Sequence, residues 1–206
     1  MAASTLDYIG FVEAAYDASA TPSSWLRSLK DRLRVMFPDA SGSGGYTYAF
    51  STAGFELGSH SFELPREFTE QVTRRLPTMP PALARTLIQR MRSVDLFSEH
   101  AAQSRSAELR GMLHQARSVG VAEAIALHGS TGQDAGCVVS AVFERRPTVS
   151  PRTRGALARL ASHLGAAHRL RSTEGHPQAE PAGASDSLPV APTVPCLIVR
   201  SVVPLA

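Results

Sequence analysis

The chain reads as an α+β domain: an antiparallel sheet with helices on both faces and a long C-terminal exit helix. Three observations predict this. Apolar residues recur with a period of 3.6 near both ends. In two places the period changes to two, and each time a pair of runs is joined by a short, glycine-bearing turn. Hairpins of that kind make antiparallel neighbours, so helices placed before, between and after them must cover the sheet faces. At 206 residues and 43% apolar composition the chain can bury one sizeable core.

The elements follow in order. Tyr8, Phe11, Val12 and Ala15 form the stripe of a first helix over residues 4 to 18, with Ser4 or Thr5 as its cap. Thr21-Pro22 opens a second, proline being favoured at the first helical position. Its stripe is Trp25, Leu26, Leu29, Leu33, Met36 and Phe37, and Pro38 stops it. Residues 41 to 45 read as a glycine loop. Tyr46, Tyr48 and Phe50 then alternate with Thr47 and Ala49, and after a turn at 51 to 54 the strand FELGSHSFEL completes a hairpin. Pro65 opens a helix carrying Phe68, Val72 and Leu76, and Pro77, Pro80 and Pro81 interrupt it. A further helix carries Leu83, Leu87, Ile88 and Met91. Residues 93 to 103 read as a loop. Ser106 caps a helix with Leu109, Met112, Leu113 and Ala116, which Gly120 ends in a left-handed turn. The strands VAEAIALHGS and CVVSAVFERR form the second hairpin, and Ser150-Pro151 starts the exit helix RTRGALARLASHLGAAHRLR.

From Thr173 the pattern ends. EGHPQAEPAGASDSLPVAPTVP is rich in proline, alanine, glycine and serine, as linkers and disordered tails are. The expected organisation is a folded domain at 1–172 and a tail at 173–206. The last segment, CLIVRSVVPLA, is apolar but short of the roughly 20 residues that span a bilayer. The early acids of MAASTLDYIGFVEAAYD argue against a secretory leader, and two cysteines give no disulfide framework. Both point to the cytoplasm. The net charge is +3, and all basic residues but Lys30 are arginine. A basic balance permits nucleic-acid contact, yet binding needs the charges gathered on one face.

No metal or catalytic motif stands out. His163 and His168 are five apart on a helix, about 140° around its axis, and no HxxxH, HExxH or CxxC spacing occurs. The glycines at 41 to 45 lack the GK[ST] ending of a phosphate loop. Cys137 opens an apolar strand with no local cation to lower its pKa, which reads as a structural thiol, with redox or nucleophilic chemistry the alternative. The binding candidates are Tyr46 and Tyr48, which bring polar tips to an apolar wall, and Asp95, Phe97 and His100 in the segment SVDLFSEH. Glu123 joins them, because it alternates with Val121, Ile125 and Leu127 and needs an arginine partner or a ligand there. Ordinary core packing explains the tyrosines equally well. The exit helix shows a seam of Leu157, Leu160, Leu164 and Ala167, suited to the sheet or to a second copy. Its arginines make a basic recognition helix the alternative.

The element order, and the stretch SPRTRGALARLASHLGAAHRLR after the last strand, resemble a GAF domain, and in particular the N-terminal sensor region of bacterial LuxR-type transcription regulators. The resemblance spans residues 4 to 172. It implies a GAF/PAS-like sheet with a ligand pocket on one face and a non-catalytic sensory role in transcription regulation. The relay would run through the C-terminal helix, with a homodimer, a small molecule or a regulatory protein as partner, and it names no cofactor. In those regulators a helix-turn-helix follows the linker. None follows residue 175 here, so direct DNA binding is not expected of this chain, and an effector lost by truncation is one explanation. The alternatives are a ligand-free dimerisation scaffold, a DNA-binding regulator using the basic helix, and a thiol enzyme using Cys137.

Overall fold

The computed structural model describes residues 7–52, 54–90, 93–103, 107–132 and 134–173. The expected tail beyond Thr173 lies outside them, as do Met91 and the proposed cap Ser106. In chain order the elements are α1 (Tyr8–Ala15), α2 (Pro22–Met36), β1 (Gly42–Ser51), β2 (Gly54–Glu63), α3 (Arg66–Thr78) and α4 (Pro81–Arg90). Then follow β3 (Val94–Leu96), α5 (Phe97–Gln103), α6 (Ala107–Ser118), β4 (Glu123–Ser130), β5 (Ala135–Phe143) and α7 (Pro151–Thr173). The sheet is antiparallel and five-stranded, in the order β2-β1-β5-β4-β3.

Local chemistry places the helix starts. Asp7, later in the chain than the expected Ser4 or Thr5, caps α1 by accepting from the Gly10 amide at 2.9 Å. Thr21 caps α2, and Pro22 opens it. Ser150 accepts from the Thr153 amide at 3.1 Å and starts α7. Gly120, at φ 85°, turns the chain out of α6 as expected.

One face of the sheet carries α1, α2 and α7. Phe11, Trp25, Leu26, Leu29 and Leu33 meet Ile125, Leu127, Cys137, Val139 and Ala141 there, in one continuous core. Each large side chain fully buried in it contributes about 2 kcal/mol of apolar transfer. Leu157, Leu160, Leu164 and Ala167 belong to this core, each at most 1% exposed. The seam read as a dimer surface is therefore turned inward, because the sheet offers α7 its largest apolar partner. α7 reaches the sheet closely where Gly165 rides on Gly129; a Cβ on Gly129 would sit 2.7 Å from the Gly165 amide nitrogen.

Two stretches read as loops are ordered elements. Gly42–Gly45 belongs to β1, paired with β2 and with β5. Glycine is required at Gly42, where a Cβ would collide with the Glu63 carbonyl oxygen, and at Gly44, where it would lie 2.8 Å from Phe62 Cδ1. Residues 93 to 103 hold β3, which pairs with β4, and α5. Periodicity is uninformative over a three-residue edge strand.

A candidate ligand site on the second face of the sheet

Register places Tyr46, Tyr48 and Phe50 on the face opposite α2 and α7. Tyr46 pairs with Val138 and His60, and Tyr48 with Gly136 and Leu57. Tyr48 crosses β5 to donate or accept a 2.6 Å hydrogen bond with His128 Nε2, and its ring stacks on the imidazole. Gly136 lets it pass, since a Cβ there would lie 2.5 Å from the phenol oxygen. Burial pushes the Tyr48 phenol far above its ordinary pKa, so it stays protonated. Phe50 and Phe55 pack around it with Ala84 and Ile88 of α4. Arg85 closes this end, its guanidinium 4.9 Å from the Phe50 ring centre and 2.5 Å from Asp134 Oδ1.

The other end of this face holds a separate cluster. Ala116, Val121 and Val142 pack there with Leu64, Phe68, Phe97 and Ala124. Between the two clusters one cross-strand row runs Phe62, Gly44, Ser140, Ala126, Asp95. Its middle members are small, and Ser140 and Ala126 are only half-buried although they lie on interior strands. Ser140 donates to the Gly44 carbonyl at 3.4 Å. Of the helices on this face, α3 and α4 lie against β2 and α5 against β3 and β4. Ala126 packs against the Tyr48 cluster, and Ser140 stays half-buried beside it. On the opposite face α2 and α7 lie directly on β1, β5 and β4.

The predicted site residues divide between the two faces. Tyr46, Tyr48 and Phe97 border the small row, Tyr46 half-buried beside it and Phe97 at its far end. Glu123 does not join them. It pairs with Phe143 and shares the α7 face with Ile125 and Leu127. Wholly buried, it accepts from the Ser98 amide at 2.9 Å, from Ser98 Oγ at 2.5 Å and from the Ala124 amide at 3.1 Å. Arg146 lies 3.5 Å away. The carboxylate caps α5, so its partners are a helix start and an arginine, the bland alternative the sequence left open. His100 lies on α5, with its side chain outside the described residues. Sequence reading singled out Asp95 of SVDLFSEH but missed Ser140, Ala126 and His128 as its neighbours on this face. The pairing of β5 with both β1 and β4 is what aligns them, and no local pattern carries it.

Other candidates resolve simply. Cys137 is buried, 3.6 Å from the Gly129 carbonyl, and burial pushes its thiol far up, away from the reactive thiolate. No cluster of three metal-ligating side chains exists among the described residues. No described helix is long and apolar enough to cross a membrane. α7 is tied to α5 by a two-pronged ion pair, Arg154 donating to Glu99 at 3.1 and 2.9 Å. At its far end Arg171 donates to the carbonyls of Asp17 at 2.8 Å and Ala20 at 2.5 Å.

No protein-family model and no curated protein sequence matches the chain. Solved structures do share its fold. The phycocyanobilin-bound GAF domain of a cyanobacterial phytochrome superposes with a TM-score of 0.54 at 12% identity, covering 84% of this chain and 100% of that one. CepR2 of Burkholderia cenocepacia, an N-acylhomoserine-lactone-dependent LuxR-family transcription factor, gives 0.50 at 12%, covering 81% and 96%. The VqsR ligand-binding domain of Pseudomonas aeruginosa gives 0.50 at 13%, covering 81% and 95%. At such identities the likeness is one of fold: a GAF-like antiparallel sheet with helices on both faces.

Proposed function

We propose that the chain is a non-catalytic sensory domain of a bacterial transcription regulator, cytoplasmic and homodimeric, which binds a small molecule over Ser140 and Ala126 and relays occupancy through α7. The observation that carries this reading is a pair of small, half-buried residues on interior strands, Ser140 and Ala126, flanked by the amphipathic Tyr46 and by Phe97. An apolar cleft with a few convergent polar groups is the usual form of a ligand site. Here the walls are Tyr46 and the Tyr48–His128 pair on one side and Phe97 on the other, with Asp95 at the end of the row. The proteins sharing the fold bind a bilin or depend on an acyl lactone, which supports a ligand without identifying it.

The relay follows contacts. Phe97 stands at the end of the row and opens α5, Glu123 caps α5, and Glu99 of α5 holds Arg154 of α7. A ligand that displaces Phe97 acts on the start of the exit helix through one ion pair.

The test is a thermal-shift screen of acyl lactones, linear tetrapyrroles, cyclic nucleotides and aromatic acids on the full chain and on Ser140→Phe. A ligand at a hundredfold excess over its dissociation constant stabilises the native state by about 2.7 kcal/mol. The expected result is a midpoint raised by several degrees in the wild-type chain and unmoved in Ser140→Phe. No response to any class, with a Ser140→Phe chain more stable than wild type, overturns the reading in favour of a ligand-free scaffold.

A further inference from the structure

α1 is apolar nearly all round. Its sequence is YIGFVEAA, with Glu13 its single charge. A helix of that composition is normally covered on every side, and among the described residues only its inner side is, by α2 and α7. Ile9 is 74% exposed and Tyr16 42%. The other large exposed apolar side chains among the described residues, Val35 at 58% and Leu170 at 52%, lie on α2 and α7. Among the described residues, all of them fall on one helical layer.

Charge is divided within that layer. α1 and α2 frame a groove of about 650 Å³ lined by Glu13, Asp17 and Asp31 together with Gly10, Ala14 and Val35. Arg32 also lines it, 3.1 Å from Asp7. Glu13 has no ion-pair or hydrogen-bond partner among the described residues. α7 carries no acidic residue, and exposes Arg159, Arg169 and Leu170 on its outer side. The ridge between them carries Ser162, Ala166 and the exposed His163, whose ring meets Tyr16 edge-on.

We infer that this face is the homodimer surface, the outer ridge of α7 from one copy seating in the acidic α1–α2 groove of the other. A two-fold axis passing beside α1 forms both contacts at once, because each copy carries one groove and one ridge. Ile9, Tyr16, Val35 and Leu170 lose their exposure, and Arg159 and Arg169 meet Glu13 and Asp17. The surface rests on the homodimer reading above but replaces Leu157, Leu160, Leu164 and Ala167, which their own core consumes. It also puts the two exit helices side by side, where a ligand-driven shift at Arg154 is felt by both.

The experiment is sedimentation equilibrium on the full chain and on charge-reversed variants. The wild-type chain at micromolar concentration gives twice 22.0 kDa. Glu13→Arg and Arg159→Glu each weaken the dimer by about tenfold or more, a like-charge contact replacing an attractive one. Mixed together, the two variants recover the wild-type affinity as a heterodimer, since both of their contacts then pair opposite charges, and the doubly reversed chain recovers it as a homodimer. Ile9→Ser and Leu170→Ser, both at exposed positions, weaken association without reversing charge. Circular dichroism confirms that each variant is folded. A monomeric wild-type chain overturns both the dimer and the surface. A dimer whose affinity all four substitutions leave unchanged overturns the surface alone. A wild-type monomer that dimerises once cut after Thr173 assigns the face to residues 174–206 and also overturns the proposal.

Discussion

His168 gives a quantitative test of how α7 is seated. Its ring stacks on Trp25 at 6.1 Å, and its Nδ1 is buried without a hydrogen-bond partner. Burial first, and the neighbouring Arg171 second, lower its pKa from 6.5 to about 4. The native state therefore refuses a proton that the unfolded chain accepts. The neutral ring contributes its full stability above pH 6.5, and that contribution drains away as the pH falls toward 4. Between pH 7.5 and 4.5 the linkage is on the order of 2 kcal/mol. His168→Phe keeps an aromatic ring on Trp25 and removes the proton site. Urea unfolding of both chains at the two pH values gives the double difference, in which the titrating carboxylates cancel. The wild-type chain should lose on the order of 2 kcal/mol more than the variant over that interval. Equal losses would show that His168 takes its proton as readily folded as unfolded, and that the inner face of α7 is wet at this point.

Other perturbations have readable outcomes. Glu123→Ala strands the Ser98 amide, removes the α5 cap and frees Arg146, so urea unfolding should show a loss of about 3 kcal/mol; a loss below about 1 kcal/mol would mean that α5 holds its place without the carboxylate. Gly129→Ala pushes a methyl into the backbone of α7 at Gly165 and Leu164. It should cost about 2 kcal/mol or more, and unchanged stability would contradict the close approach. Cys137 should react with a thiol reagent no faster than the chain unfolds. Rapid labelling of Cys137 itself in the native protein, located by peptide mapping to separate it from Cys196, would revive a thiol role.

Much of this fold is legible along the chain. The stripe from Trp25 to Met36 and the alternation of Tyr46, Tyr48 and Phe50 are local patterns with one physical solution each, a helix and a strand with a buried face. Thr21-Pro22, Ser150-Pro151 and Gly120 mark boundaries through hydrogen bonds and dihedral angles that involve only near neighbours. From these the α+β class, the hairpins and the long last helix follow. Which residues share a face across strands does not, because register is a relation between segments far apart in sequence. Glu123 shows the difference. Its alternation with Ile125 and Leu127 was visible, but only the pairing of β4 with β5 put that face under α7 and sent Tyr48 to the other. Gly42 and Gly44 look like loop residues until the Glu63 carbonyl and the Phe62 ring, brought close by β2, explain why nothing larger fits. The leucines of α7 likewise had two apolar partners open to them, a sheet or a second copy. Only the folded chain, by setting Gly165 on Gly129, decided that the sheet takes them.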